Sequence, residues 1–219
     1  KKQSLPKFRK ISDQANVLIL NKPDATETTF MIGGKGIAAT NTDTVALSVI
    51  NTILGGRFTS WLNDALRVNS GLTYGARSRF NSYSSQGSFY ISTFTKNATT
   101  FAAIDLALKT YQRLWDEGID EQTLASAKAY VKGQFPPKYE TSTQLMNLLA
   151  KMWSLGLNDS YINDFEMNVN SLNVSKANKL AKYYFPNKNL QFVLIGKADE
   201  LREKAKKYGD VTEQSIMTF

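Results

Sequence analysis

The sequence predicts an α+β fold: an antiparallel, partly mixed sheet of about five to six strands covered by helices on one face. Three observations predict it. Short runs of β-branched and aromatic residues lie near both ends of the chain and in its second quarter. A long middle stretch instead carries apolar residues at spacings of three and four, the period of an amphipathic helix. Strands are therefore segregated from helical blocks, and glycine and proline clusters separate them. Of 219 residues, 42% are hydrophobic and 21% charged, enough apolar material to bury a core and too much for a disordered chain.

Each element follows in order. Asn16–Leu20 is a short apolar run ended by the turn Asn21-Lys22-Pro23-Asp24. Thr28–Ile32 is the next strand and leads into Gly33-Gly34-Lys35-Gly36, read as a bulged or bent strand. A phosphate-binding loop would need Gly at 29 and Ser or Thr at 36; Thr29 and Gly36 stand there. Asp43 is expected to cap a helix through Ala46, Val49, Ile50 and Leu54, stopped by Gly55-Gly56. Thr59–Val68 is a second, shorter helix broken by Asn69-Ser70-Gly71. Thr73–Tyr83 and Ser88–Thr95 read as a long hairpin, with Tyr74, Ala76, Ser78 and Phe80 on one face and Arg77, Arg79 and Asn81 on the other.

The helical block then opens on the stripe Phe101, Ile104, Leu108, Tyr111 and Trp115, closed by Gly118. Asp120 caps the next helix, which Pro136-Pro137 must end. Thr141 or Ser142 starts a third that runs to Gly156. Single helices are expected over Ser160–Val169 and Ser175–Tyr184. Leu190–Ile195 is a buried strand, and Asp199–Tyr208 a charged helix. Residues 1–14 are read as a lead-in segment, 15–210 as the domain and 211–219 as a tail. The abrupt opening KKQSLPKFRK suggests a piece of a longer protein.

Composition excludes whole classes of chemistry. The chain has neither cysteine nor histidine. A thiolate nucleophile, a disulfide, a Ser-His-Asp triad and an H-x-x-E-H zinc helix are all impossible within it. The net charge is 27 − 19 = +8. It is scattered, and the run Arg202–Lys207 is interleaved with Glu200 and Glu203, so nucleic acid is not an expected partner. No stretch reaches the ~18 apolar residues that span a bilayer. The sequons at Asn97, Asn158 and Asn173 are matches of low specificity, and Lys138-Tyr139-Glu140 reads as an exposed loop.

The densest unusual segment is LGGRFTSWLNDALRVNSGLTYGARS, residues 54–78. A helix ends at a double glycine, a short helix follows, and Gly71 turns the chain toward Tyr74. Arg67 and Tyr74 are seven residues apart across that turn, so their polar tips can converge from different elements. The spacing alone says little, because an arginine at a helix end often caps carbonyls and a strand tyrosine usually packs. The wider segment decides. Leu66-Arg67…Gly71…Tyr74, preceded by Leu54-Gly55-Gly56…Phe58…Ser60…Leu62, resembles the second active-site motif of the insulinase/pitrilysin zinc peptidases. Val17-Leu18-Ile19 with Lys22-Pro23, and Asn189-Leu190…Val193-Leu194-Ile195-Gly196, resemble the first and last strands of the same C-terminal domain, so the likeness spans most of the chain.

The resemblance implies one half of a metallopeptidase chamber. It implies Tyr74 as a catalytic donor to the oxyanion, Arg67 as a catalytic and substrate-gripping residue, and Gly55 and Gly56 as substrate-binding positions. It implies no metal on this chain. Zinc is expected on a partner, either an N-terminal domain or a separate subunit, in a homo- or heterodimer acting on peptides. A non-catalytic scaffold or peptide-binding subunit of the same fold is the alternative. Some members carry a long glycine-rich insertion after the double glycine, and here Gly56 runs directly into Arg57, so that specialised role is not expected. A periplasmic or membrane-associated bacterial setting is preferred to a cytoplasmic one.

Overall fold

The computed structural model describes residues 12–216, and most of the lead-in segment and the last three residues lie outside them. Six strands form one mixed sheet: β1 (Asn16–Asn21), β2 (Glu27–Lys35), β3 (Arg77–Ser82), β4 (Gly87–Lys96), β5 (Gln191–Gly196) and β6 (Asp210–Ser215). Their order is β3-β4-β2-β5-β1-β6. The pairs β3/β4, β4/β2 and β2/β5 are antiparallel, whereas β1 lies parallel to both β5 and β6.

Strand alternation decides which face is covered. Val17, Ile19, Phe30, Ile32, Ile91 and Leu194 are at most 1% exposed and are cross-strand neighbours on one face. Leu18, Met31 and Val193, one residue out of phase, stay partly exposed on the other. The helices are α1 (Thr44–Asn51), α2 (Trp61–Asn63), α3 (Thr100–Asp116), α4 (Glu121–Gly133), α5 (Ser142–Leu155), α6 (Ser160–Asn163), α7 (Phe165–Asn170), α8 (Val174–Tyr184) and α9 (Ala198–Ala205); α1, α3 and α9 pack on the strands, and α5 is the most exposed of the longer ones, with only Leu148 buried. Among the described residues no helix is long and apolar enough to cross a membrane. The stripe on α3 carries Tyr111, buried between Phe89 and Trp115 with its hydroxyl donating to the Pro186 carbonyl at 2.8 Å. Burial there holds the phenol well above its usual pKa.

Several local expectations change. Asp120 caps α4 by accepting from Thr123 N–H at 2.7 Å, and Thr141 forms a reciprocal capping box with Gln144 on α5. Asp43 does not cap α1: its carboxylate accepts from Tyr184 Oη at 3.0 Å instead. No bulge occurs at Gly33-Gly34. The β2/β4 register runs unbroken from Glu27–Lys96 to Lys35–Ser88, and a Cβ on Gly33 would lie 2.1 Å from the Phe89 carbonyl oxygen. The helix expected over 160–169 is two, broken at Asp164. The residues read as a tail from 211 form most of β6. That strand, DVTEQS, is an exposed edge without apolar alternation, held by its ladder to β1 and by Arg202, whose Nε–H and Nη2–H both donate to Glu213 Oε2 at 3.0 and 2.8 Å.

Candidate functional site

The site forms where two helices end against the edge strand β3. Helix α1 passes directly into a π-helical turn, Thr52–Gly56, and α2 into another, Asp64–Asn69. Such wide turns concentrate at functional sites because they re-aim side chains. In the first, Leu54 is fully buried and Gly55 lies flat on β3: a Cβ there would stand 2.4 Å from Ser78 N and 2.6 Å from Ser78 Oγ. In the second, buried Leu66 anchors the turn and Arg67, the next residue, is exposed. Gly71, at φ +63°, then reverses the chain, with Leu72 N–H and Thr73 N–H both donating to the Leu66 carbonyl at 2.9 and 3.2 Å.

Tyr74 does not begin a strand as expected. It sits in the loop before β3, 79% exposed, with its ring 6.3 Å from that of Phe94. Hydrogen bonds on both sides hold this loop. Thr73 Oγ1 accepts from Gly75 N–H at 3.2 Å, Thr93 Oγ1 donates to the Gly75 carbonyl at 2.9 Å, and Thr95 Oγ1 donates to the Leu72 carbonyl at 2.6 Å.

Two asparagines that sequence reasoning passed over tie the helices to the edge. Asn63, 6% exposed, accepts from Ala76 N–H through Oδ1 at 2.9 Å and donates from Nδ2 to the Arg57 carbonyl at 3.2 Å. Asn51 donates from Nδ2 to the Ser78 carbonyl at 3.0 Å and accepts from Ser78 Oγ at 2.7 Å. Asn63→Leu removes both bonds and leaves the Ala76 N–H buried without an acceptor, so a stability loss of about 1–3 kcal/mol is expected in denaturant titration. An unchanged midpoint would show that Asn63 does not hold the loop.

The result is a hollow of about 410 Å³ lined by Gly55, Gly56, Arg67 and Tyr74 together with Arg57, Arg77 and Arg79. All four residues singled out in the sequence therefore share one concavity. They differ in access: Gly55 is buried against β3, while Gly56, Arg67 and Tyr74 are exposed. The Arg67 guanidinium lies over the Phe58 ring at 4.6 Å. Arg57 Nη1 donates to Ser126 Oγ at 3.0 Å, while its Nε–H is sealed from solvent and finds no acceptor. The four arginines meet no carboxylate in the lining. Of these arginines the sequence singled out Arg67, placed Arg57 beside the double glycine as a weaker candidate and showed Arg77 and Arg79 alternating on one strand face; Asn51 and Asn63 carry no signal at the level of spacing. Among the described residues no group of three or more carboxylates is placed to hold a metal.

A family profile described as the peptidase M16 inactive domain matches residues 1–131, which include the whole Arg67–Tyr74 segment. The chain belongs to this family. As an M16 inactive domain it has similar relatives in two bacteria. It is 26% identical over 155 residues to the non-peptidase homolog YmxG of Helicobacter pylori, a match covering 70% of this chain and 35% of that one. It is 24% identical over 167 residues to the uncharacterized zinc protease YmxG of Bacillus subtilis, covering 76% of this chain and 41% of that one. The chain thus spans less than half the length of the curated relatives it matches. A crystal structure of a peptidase M16 inactive domain from Pseudomonas fluorescens has the same fold, with a TM-score of 0.76 at 24% identity, over 84% of this chain and 44% of that one.

Proposed function

We propose that this domain holds peptide for cleavage at a zinc ion carried by an N-terminal domain or by a separate subunit. Zinc, when bound there, would supply an activated water. This chain's part is confined to hydrogen bonds: Tyr74 donates its O–H to the oxygen of the attacked carbonyl as charge develops on it, and Arg67 grips a neighbouring backbone carbonyl and orients the substrate. The observation that carries the reading is that Arg67 and Tyr74 open on one hollow in a chain that has no histidine. Both side chains are exposed there, and among the described residues neither is hydrogen-bonded. A homo- or heterodimer of periplasmic or membrane-associated bacterial setting fits this division of labour.

Arg67→Ala tests the grip. In the zinc-loaded, full-length assembly it should raise KM for a peptide substrate roughly ten- to a hundredfold, the worth of one charged hydrogen bond. Unaltered KM and kcat would sink that role. A second reading, a non-catalytic scaffold or peptide-binding subunit, is favoured by the name of the Helicobacter pylori relative, a non-peptidase homolog. It predicts peptide binding that depends on Arg67 with no cleavage at all.

A further inference from the structure

We propose that the hollow at Arg67 and Tyr74 selects acidic peptide segments, with Arg77 and Arg79 as the residues that set the preference. The inference rests on the reading of this surface as one that handles peptide, and it extends that reading to the charge of the substrate.

Arg57, Arg67, Arg77 and Arg79 reach the hollow from three separate segments of chain. Arg79 also lines a second hollow of about 290 Å³, to which Lys138 and Lys151 contribute, again with no carboxylate in the lining. Among the described residues none of these six cations is ion-paired. Elsewhere Arg113, Arg202, Lys132, Lys197, Lys206 and Lys207 each reach a carboxylate, and of the cations that do not, Lys176 and Lys179 stand on a convex helix face and are not gathered around a hollow. Like charges gathered around a concavity raise the potential inside it, and their mutual repulsion is relieved by an incoming anion.

The geometry favours carboxylates on an extended chain. Guanidinium groups take a carboxylate through two parallel N–H···O bonds. Arg77 and Arg79 are both exposed and stand two apart on β3, so they project from the same face at the repeat of alternate side chains in an extended peptide. A single-stranded nucleic acid would need free aromatic faces for base stacking. At this hollow the Phe58 ring is covered by Arg67 at 4.6 Å and the Tyr130 ring lies under Arg57 at 5.8 Å, which leaves Tyr74 as a single open ring where a run of stacked bases would need several.

The test is a fluorescence-anisotropy titration of the full-length protein at physiological ionic strength. The probes are a labelled Glu-rich peptide and the same peptide with Gln in place of every Glu. The Glu peptide should bind at least about tenfold tighter. Arg77→Ala/Arg79→Ala should remove most of that margin and leave the Gln peptide unaffected. Lys176→Ala/Lys179→Ala, an equal loss of charge on the exposed side of α8, should preserve the margin. Equal affinity for the two peptides, equal losses in the two double variants, or tighter binding of a single-stranded RNA than of the Glu peptide would each overturn the proposal. If the alanine pair melts early, Arg77→Gln/Arg79→Gln takes its place under the same expectations. No turnover is measured, so the two readings separate. An inactive protein that still prefers the Glu peptide counts against the role of Tyr74 alone, and an active one indifferent to charge counts against this proposal alone.

Discussion

Replacing Tyr74 with phenylalanine is expected to lower peptide cleavage by the zinc-loaded assembly about a hundredfold while leaving the fold intact. The loss is that of one donor aimed at a developing oxyanion, worth roughly 10²–10³ in rate. The fold is spared because the hydroxyl has no partner among the described residues, the side chain is 79% exposed, and the ring contact with Phe94 survives the change. A surface change of this kind shifts stability by no more than about 0.5 kcal/mol. The effect should fall on kcat rather than KM, since the bond is made in the transition state. Turnover equal to that of the unmodified protein would remove Tyr74 from the mechanism. An assembly that never cleaves, with Tyr74 present, would leave the scaffold reading standing.

The second large effect is on stability. Gly55→Ala puts a methyl group 2.4 Å from Ser78 N, 2.6 Å from Ser78 Oγ and 2.9 Å from Leu62 Cδ1. The first of these is main chain of β3 and cannot swing aside, so the π-helical turn and the strand must separate. Overpacking of this kind costs about 1–3 kcal/mol, and a domain of this size should melt roughly 3–10 °C lower. Gly133→Ala is the internal control. Its Cβ meets nothing within 4 Å and it ends α4, so it should be neutral or slightly stabilising. Equal melting temperatures for the two variants would mean that the close packing of Gly55 on β3 does not bear on stability.

Much of the fold was legible because burial writes a period into the chain. Val17, Ile19, Phe30, Ile32 and Leu194 alternate with exposed positions, and the α3 stripe recurs at helical spacing. Asp120 and Thr141 were readable as caps because the partner backbone lies three residues on. Asp43 was not, since a tyrosine from α8, remote in sequence, takes its carboxylate. Strand β6 was illegible for another reason: at an exposed edge, main-chain pairing suffices and side chains leave no pattern. The candidate site divides along the same line. Arg67, Tyr74 and the double glycine stand in one short segment and can be seen together. Asn51 and Asn63 matter only through what lies across the turn from them, which spacing does not encode.

The two asparagines on the β3 edge have a further consequence. An open sheet edge can take on a guest strand and, once zipped, hold it or template the next. Here the Ala76 N–H and the Ser78 carbonyl are already occupied by Asn63 and Asn51. A strand approaching this edge would therefore find the ladder closed at those positions. There the open edge is protected from taking on a further strand and becoming a seed for aggregation.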